Sequence, residues 1–204
     1  MDKFILIPDS FKGTLSSQTV CDIMAERIRA HYPNSDIYAI PVADGGEGSV
    51  NCFLNALGGR EINITVNGPY LTPCDSFYGI LSDGKTAVIE MSAAAGLPMV
   101  EDNKNPSLTS TYGVGELIMH AVSKGVKKII LGLGGSCTND FGCGCASACG
   151  VKFFDKSGKE FIPTGGTLIN VDRIDLSQKD ERLNQVEIVT MCRREGSLRS
   201  MGVM

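Results

Sequence analysis

Residues 127–150 read KKIILGLGGSCTNDFGCGCASACG, and a strand, a glycine-rich turn and the start of a helix follow one another in this stretch. Residues 128–133 form an apolar run with β-branched side chains, which is typical of a central strand in a parallel sheet. The small residues at 142–149 can begin a helix behind the turn and suit close packing on a sheet. The stretch therefore predicts a strand-turn-helix unit of an α/β fold.

The turn itself is a candidate anion site. Backbone N–H groups that point at open space between a strand and a helix bind anions without cationic side chains. Gly134, Gly135 and Ser136 are the candidates here, and Asp140 beside them is placed to bind Mg²⁺ or to accept a proton. The alternative is a tight turn in which an Asx side chain caps the helix. This stretch alone does not decide between the two.

Two further strands are predicted to end in acidic, glycine-containing loops. The apolar strand at 4–7 precedes Asp9 and Lys12, and the strand at 37–41 precedes Asp44. In an open α/β sheet, ligands bind beyond the carboxyl ends of the strands. A turn-forming aspartate and a solvated lysine would explain each residue singly. Three such loops together indicate one shared anionic ligand with its metal.

Apolar periodicity predicts the remaining elements. Alternation predicts a strand at 62–66, a hairpin around 82–85, another around 155–158 and a last strand at 185–192, whereas the polar segment 172–181 is expected to be peripheral. Three helices are predicted from Val20, Ile23, Met24 and Ile28 after a cap at Ser16 or Ser17, from Val50, Phe53, Leu54 and Leu57, and from Val114, Leu117, Ile118, Ala121 and Val122.

Composition narrows the classes of function. A chain of 204 residues that is 43% hydrophobic can bury a substantial core. It contains no apolar run long enough to cross a membrane and no export signal at its start, so we expect a cytoplasmic protein. A net charge of -4 without a basic cluster argues against nucleic acid as the main partner.

Four of the eight cysteines lie close together, at Cys137, Cys143, Cys145 and Cys149. Their spacing fits neither the paired knuckles of structural zinc sites nor the usual iron-sulfur patterns. We therefore interpret them as reduced, buried, small apolar residues rather than as metal ligands.

Three long segments resemble the signatures of the bacterial glycerate kinase family that uses a two-domain α/β fold. They are PDSFKGTLS at 8–16, PVADGGEG at 41–48 and GGSCTND at 134–140. Stretches at 83–87, 89–97 and 111–118 match as well, and the resemblance extends in order from residue 4 to residue 192.

The resemblance implies a Rossmann-like parallel sheet domain, incomplete here, with an inserted mixed α/β domain. Residues 1–60 would belong to the first domain and 61–192 to the second, whereas the tail at 193–204 does not match. The family continues beyond this point with an Asn-Pro-Leu-Gly-like stretch and further glycine-rich motifs. We therefore expect a C-terminally truncated chain with unpaired sheet edges and an incomplete core.

The activity implied by the resemblance is transfer of the ATP γ-phosphoryl group to a hydroxyl of D-glycerate with Mg²⁺. Asp44 or Asp140 would act as base or metal ligand, and Lys12 would neutralise charge. No Gly-x4-Gly-Lys-Ser/Thr motif is present, so the chain is not a P-loop enzyme. The residues expected to bind substrate or phosphate are Asp9, Ser10, Gly45, Gly46, Gly48, Gly134, Gly135, Ser136, Thr138 and Asn139.

Two other functions can be considered. A dinucleotide-binding oxidoreductase would need the third glycine of its fingerprint where this sequence has Cys137. The second is an inactive, ligand-binding fragment of a kinase that requires a separately encoded C-terminal half. The missing family motifs favour this second alternative over the first.

Overall fold

A computed structural model describes residues 2–11 and 14–192; Lys12 and the 193–204 tail lie outside the described residues. The strands are β1 (Lys3–Leu6), β2 (Asp36–Ala39), β3 (Gly59–Asn67), β4 (Pro73–Leu81), β5 (Thr86–Glu90), β6 (Lys128–Gly132), β7 (Lys152–Phe154), β8 (Glu160–Phe161), β9 (Arg173–Asp175) and β10 (Glu187–Met191). The α-helices are α1 (Ser17–His31), α2 (Ser49–Leu57), α3 (Ser92–Ala95), α4 (Tyr112–Ser123) and α5 (Cys143–Ala148). Short 3-10 helices span Leu97–Val100, Leu168–Asn170 and Glu181–Gln185.

The larger sheet has five strands in the order β10-β6-β5-β4-β3. Strands β5, β6 and β10 are parallel, and β4 is antiparallel to both β5 and β3. Because β6 lies between two parallel partners, the prediction of a central parallel strand at 128–133 is confirmed. The β4–β5 hairpin is also confirmed. Parallel and mixed sheets with flanking helices confirm the predicted α/β class.

Both faces of the five-stranded sheet are covered by helices. Ile89 and Ile129 pack with Leu117 of α4 in the main hydrophobic core. Val88, which points to the opposite face because side chains alternate along a strand, packs with Val50 of α2. Helix α2, which comes before residue 60 in the chain, therefore packs against strands that come after it. The domain boundary placed at that residue remains a prediction.

Helix α5 packs against α4 at a very small separation. A Cβ atom at Gly115 of α4 would lie 2.7 Å from the Cβ of Ala148, so glycine is needed at this contact. Cys145 of α5 and Cys149, which directly follows the helix, pack against the main core. The small residues of this segment thus serve helix-on-helix packing, whereas the sequence suggested packing on a sheet.

Strands β1 and β2 form a separate parallel pair. Helix α1 covers one face through Leu6, Cys21 and Ala25. The other face carries exposed apolar side chains, with Ile5 66% and Tyr38 52% exposed. Parallel sheets are normally covered on both faces. Among the described residues, this pair is therefore a sheet with one bare apolar side.

The first helix begins where one of the two predicted caps lies. Thr19 N donates to Ser16 Oγ at 3.1 Å, as expected of an N-cap serine. The predicted apolar face is only partly right, because Ile23 and Met24 are 48% and 41% exposed. Within the described chain, these two residues are therefore only partly covered.

A small third sheet has the order β8-β7-β9. Its β7–β8 hairpin turns around residues 155–158, as the sequence predicted. The segment 172–181 was expected to be merely peripheral, but it supplies β9 to this sheet. Across the described residues, no helix is both long enough and apolar enough to cross a bilayer.

Candidate functional site

Two of the predicted loops meet at the carboxyl ends of the parallel strands. The loop at 44–48 lies against the end of β6, where Gly134 N donates to Gly45 O at 2.9 Å. Leu133 N donates to Met191 O at 3.0 Å, which brings in the end of β10. Met91 N donates to Gly132 O at 2.9 Å, so the segment that follows β5 lies there too. The ends of β5, β6 and β10 therefore form one platform beneath the 44–48 loop.

The glycines of this platform are explained by loop-to-loop packing. Gly45 has a φ of 92°, and a Cβ there would lie 2.5 Å from Met191 O. A Cβ at Gly134 would lie 2.7 Å from the Cα of Gly46. Since non-bonded atoms cannot approach so closely, only glycine lets these backbones meet. Gly48 needs its glycine for a φ of 89° alone, because a Cβ there would meet open space.

Asp140 is buried at the start of α5, with 1% of its surface exposed. One carboxylate oxygen accepts from Thr111 N at 2.7 Å, Thr111 Oγ1 at 2.8 Å and Gly144 N at 3.1 Å. The other accepts from Gly142 N at 3.0 Å. The N–H groups of Gly142 and Gly144 therefore do not face open space. The helix-capping alternative describes Asp140 here, because the carboxylate ties α5 to the segment before α4.

Asp44 differs from Asp140 in its surroundings. It is half-buried, and within the described chain its carboxylate accepts one hydrogen bond, from Gly46 N of its own loop at 3.3 Å. Asp44 therefore lies over the strand ends with a carboxylate that is not committed to a helix end. Of the two aspartates predicted to be catalytic, Asp44 has the carboxylate with fewer hydrogen bonds within the described chain.

The other predicted residues are spread over three places. Asp9 is exposed, and its Oδ1 accepts from Ser10 N at 2.7 Å. Ser136 Oγ accepts from Thr138 N at 3.1 Å, in a turn beside the exposed Asn139. Of the remaining predicted site residues, Gly135 is exposed with a φ of 75°, and Lys12 falls outside the described residues.

A cavity of about 760 Å³ opens between the first loop, α2 and the segment after α3. Its size is that of a small-molecule site. Ser10 and Gly48 are the predicted residues that line it, and no lysine or arginine is among the described lining residues. Its acidic lining residues are Glu47, Asp75, Glu90 and Glu101. An anionic ligand in this cavity would therefore need a cation with it, or Lys12.

Glu90 is a residue that reasoning from the sequence missed. It ends β5, is 2% exposed, and accepts from Val50 N at 2.7 Å and from Gly48 N at 3.2 Å. Burial raises the pKa of Glu90, and the nearby Glu47 carboxylate adds to the rise. The only signal in the sequence is an acidic residue that closes an apolar strand, directly before a run of small residues.

No three His, Cys, Asp or Glu side chains of the described chain come together in a way that could hold a metal ion. Mg²⁺ is usually held by one or two carboxylates together with phosphate oxygens and water. Asp44 can supply one such carboxylate, so the residues present fit an ion that arrives with a nucleotide.

Cys145 and Cys149 lie one helical turn apart and interact through their thiols. Their hydrogen bond, together with burial, raises the pKa of Cys145, and the same hydrogen bond lowers that of Cys149. Both cysteines are free, and both are partly buried, as is Cys143, whereas full burial was expected. Their contacts with the main core assign them to packing rather than to the platform.

The fold and the platform define an α/β protein with glycine-rich loops gathered at the carboxyl ends of parallel strands, the usual ligand-binding edge of such folds. The chain belongs to the glycerate kinase family, whose model matches residues 4–198. A glycerate kinase of Bacillus cereus is 44% identical over 191 residues, which is 93% of this chain and 50% of the relative. Glycerate 2-kinase of Escherichia coli is 40% identical over 191 residues, again 93% of this chain and 50% of the relative.

A solved structure shares the fold as well. The crystal structure of a protein assigned as glycerate kinase 2 from Salmonella typhimurium LT2 superposes with a TM-score of 0.80 at 38% identity. The match covers 95% of this chain and 53% of that one. The chain therefore spans about half the length of the relatives it matches.

Proposed function

We propose that this chain carries part of the active site of a glycerate kinase, which transfers the γ-phosphoryl group of ATP to a hydroxyl of D-glycerate. Its membership in the family is the observation that carries the proposal, and the platform at the strand ends supports it. In the reaction, the bond between the γ-phosphorus and the β,γ-bridging oxygen breaks and a new bond to the glycerate oxygen forms. ADP leaves, and the hydroxyl proton passes to a base. ATP as donor agrees with the predicted cytoplasmic location.

Asp44 is our candidate for that base, or for the carboxylate that holds Mg²⁺. Its half-buried position over the strand ends and its single hydrogen bond within its own loop support this role. Asp140 is the weaker candidate because both of its oxygens are already engaged by donors of the chain. In this proposal, Asp140 holds the glycine-rich turn in place, and Lys12 neutralises phosphate charge.

Mg²⁺, when bound, would shield the phosphate oxygens from the nucleophile and from the carboxylates around the cavity. The chain itself would supply position and charge rather than a covalent intermediate. The glycine-rich loops at 44–48 and 132–136 would fix the distance between Asp44 and the ligand, because they interlock through their backbones.

The test is turnover of D-glycerate and ATP by the purified chain in the presence of Mg²⁺, measured as the release of ADP. We expect Asp44→Asn to lower kcat by about two orders of magnitude or more, since a base or metal-binding group contributes at least that much. Asp172→Asn replaces an exposed aspartate outside the platform and should leave kcat unchanged. Normal turnover by Asp44→Asn would remove Asp44 from the mechanism. Phosphorus NMR of the product would tell which hydroxyl is phosphorylated.

The alternative is that the chain acts only together with a second polypeptide, and one observation favours it. The bare side of the β1–β2 pair exposes Ile5, Ile7 and Tyr38, which a complete parallel domain would cover. If the chain acts only with a separately supplied C-terminal half, it should be inactive alone. Activity should then appear on mixing with the C-terminal half of the Bacillus cereus relative. Activity of the chain alone, at the level reached after mixing, would rule this requirement out.

A further inference from the structure

We propose that Glu90 is a positioning residue that fixes the 44–48 loop on the end of β5, and with it the carboxylate of Asp44. The contacts of Glu90 stand by themselves, whereas the consequence for catalysis rests on the proposed function of Asp44. Glu90 is assigned no contact with substrate in this proposal.

The first argument is how helix α2 begins. Its N-cap is Gly48, which has no side chain to accept a hydrogen bond from the first turn. Glu90, 40 residues away from Val50 along the chain, supplies that acceptor at 2.7 Å and accepts from Gly48 N as well. Helix α1 differs, because Ser16 caps it from within. The start of α2 is therefore held by the sheet and not by its own sequence.

The second argument is that the loop is fixed at both ends. Gly134 N donates to Gly45 O at one end, and Glu90 accepts from Gly48 N at the other. Asp44 lies directly before the first of these contacts. Loss of the Glu90 contacts would leave the loop attached at the β6 end alone, so its side chains would sample a wider range of positions.

The third argument is electrostatic. The groups that face the Glu90 carboxylate are Glu47 on the loop, Cys52 on α2 and the hydroxyl of Ser92, which donates at 3.4 Å. Because Glu90 is buried and none of these groups is cationic, Glu90 is ionised less readily than an exposed glutamate, and its raised pKa agrees with this. A protonated Glu90 accepts fewer hydrogen bonds. The surroundings of the Gly48 and Val50 amides should therefore change as Glu90 titrates.

The first experiment is NMR of the wild-type chain. The amide proton resonances of Gly48 and Val50 should move together with pH, with a midpoint above the ordinary range for glutamate. In Glu90→Gln that titration should disappear, because an amide carries no titrating charge and has only one acceptor oxygen. Amide exchange at the two residues should also become faster by about tenfold or more.

The matched control is Glu116→Gln. Glu116 is another carboxylate that holds backbone from a distance, since it accepts from Asn67 N at 2.6 Å and from Asn67 Nδ2 at 2.9 Å. This variant should leave the titration and exchange of Gly48 and Val50 unchanged. Equal exchange in wild type and Glu90→Gln would overturn the proposal, as would a wild-type chain whose two amides do not titrate. The wild-type titration decides even if Glu90→Gln fails to fold.

The second experiment separates positioning from simple stability. In the kinase assay, Glu90→Gln should lower kcat by about tenfold or more while KM for D-glycerate changes by less than about twofold. Glu116→Gln should change neither. Normal kcat in Glu90→Gln, despite faster exchange, would overturn the positioning role. A wild-type chain without turnover, alone or after mixing, would instead count against the proposed function, and the NMR result on Glu90 would stand.

Discussion

The five-stranded sheet and the β1–β2 pair are built from similar apolar strands, yet their side chains end in different surroundings. Ile89 on β5 is fully buried, whereas Ile5 on β1 is 66% exposed. The difference lies in the layers around each sheet: α4 and α2 cover both faces of the larger sheet, and α1 covers one face of the smaller. A strand pattern therefore specifies the strand, but burial depends on what the rest of the chain brings to it.

The largest difference between the two sheets should appear on truncation of one isoleucine in each. Ile89→Ala should lower the free energy of unfolding by about 3 kcal/mol, because it removes buried surface and leaves a cavity. Ile5→Ala should cost less than about 1 kcal/mol, since most of that side chain is already in water. Urea unfolding of both variants measures the two losses of unfolding free energy. Equal losses would mean that Ile5 is covered in solution, for example by a second copy of the chain.

The two predicted acidic residues offer a second comparison, of somewhat smaller size. Asp140→Asn should lower the free energy of unfolding by about 2 kcal/mol, because an amide group would face N–H donors in a buried place. Asp44→Asn should change it by less than about 0.5 kcal/mol, since the carboxylate is half-buried and has one hydrogen bond within the described chain. The same urea experiment applies. A costly Asp44→Asn would show that this residue is also structural.

These two aspartates show how much of the site could be predicted from sequence. The loops, their glycines and their meeting at the strand ends follow from local patterns, because turns and strand ends are local features. The partner of Asp140 is Thr111, 29 residues away, and the partner of Glu90 is Val50, 40 residues away. Side-chain acceptors that reach other elements leave no periodic signal. This is why the sequence did not decide between an open turn and one capped by Asp140, and why Glu90 was missed.

The helices also differ in how well the sequence predicted which of their side chains are buried. The apolar spacing of α4 and of most of α2 predicts their buried faces, because each packs against the five-stranded sheet, although Leu57 at the end of α2 is 56% exposed. The spacing of α1 predicts burial of Ile23 and Met24 as well, and both are exposed. An amphipathic pattern records the packing for which a sequence was selected, so it holds only where the packing partner is present.

The pH dependence of the unfolding free energy provides a third test, which concerns Glu90 at the end of β5 in the five-stranded sheet. The pKa of Glu90 in the folded chain is raised above its value of 4.5 in the unfolded chain. The associated stability is therefore fully present below the unfolded pKa and is lost as the pH rises through the folded pKa. The difference in unfolding free energy between wild type and Glu90→Gln should decrease over that window and be constant above it. A difference that stays flat with pH would show that Glu90 is not desolvated.

The smallest change in stability is expected on the bare side of the β1–β2 pair. Replacing Ile7 and Tyr38 with threonine keeps residues that suit a strand, and it should change the free energy of unfolding by less than about 0.5 kcal/mol. Binding of a hydrophobic fluorescent dye should nevertheless fall clearly, because a contiguous apolar surface is lost. Ile169→Thr, at an apolar residue that is 89% exposed in a short 3-10 helix, is the control and should leave dye binding unchanged. Unchanged dye fluorescence in the double variant would mean that this side is already covered, and the need for a second polypeptide would then lose its structural support.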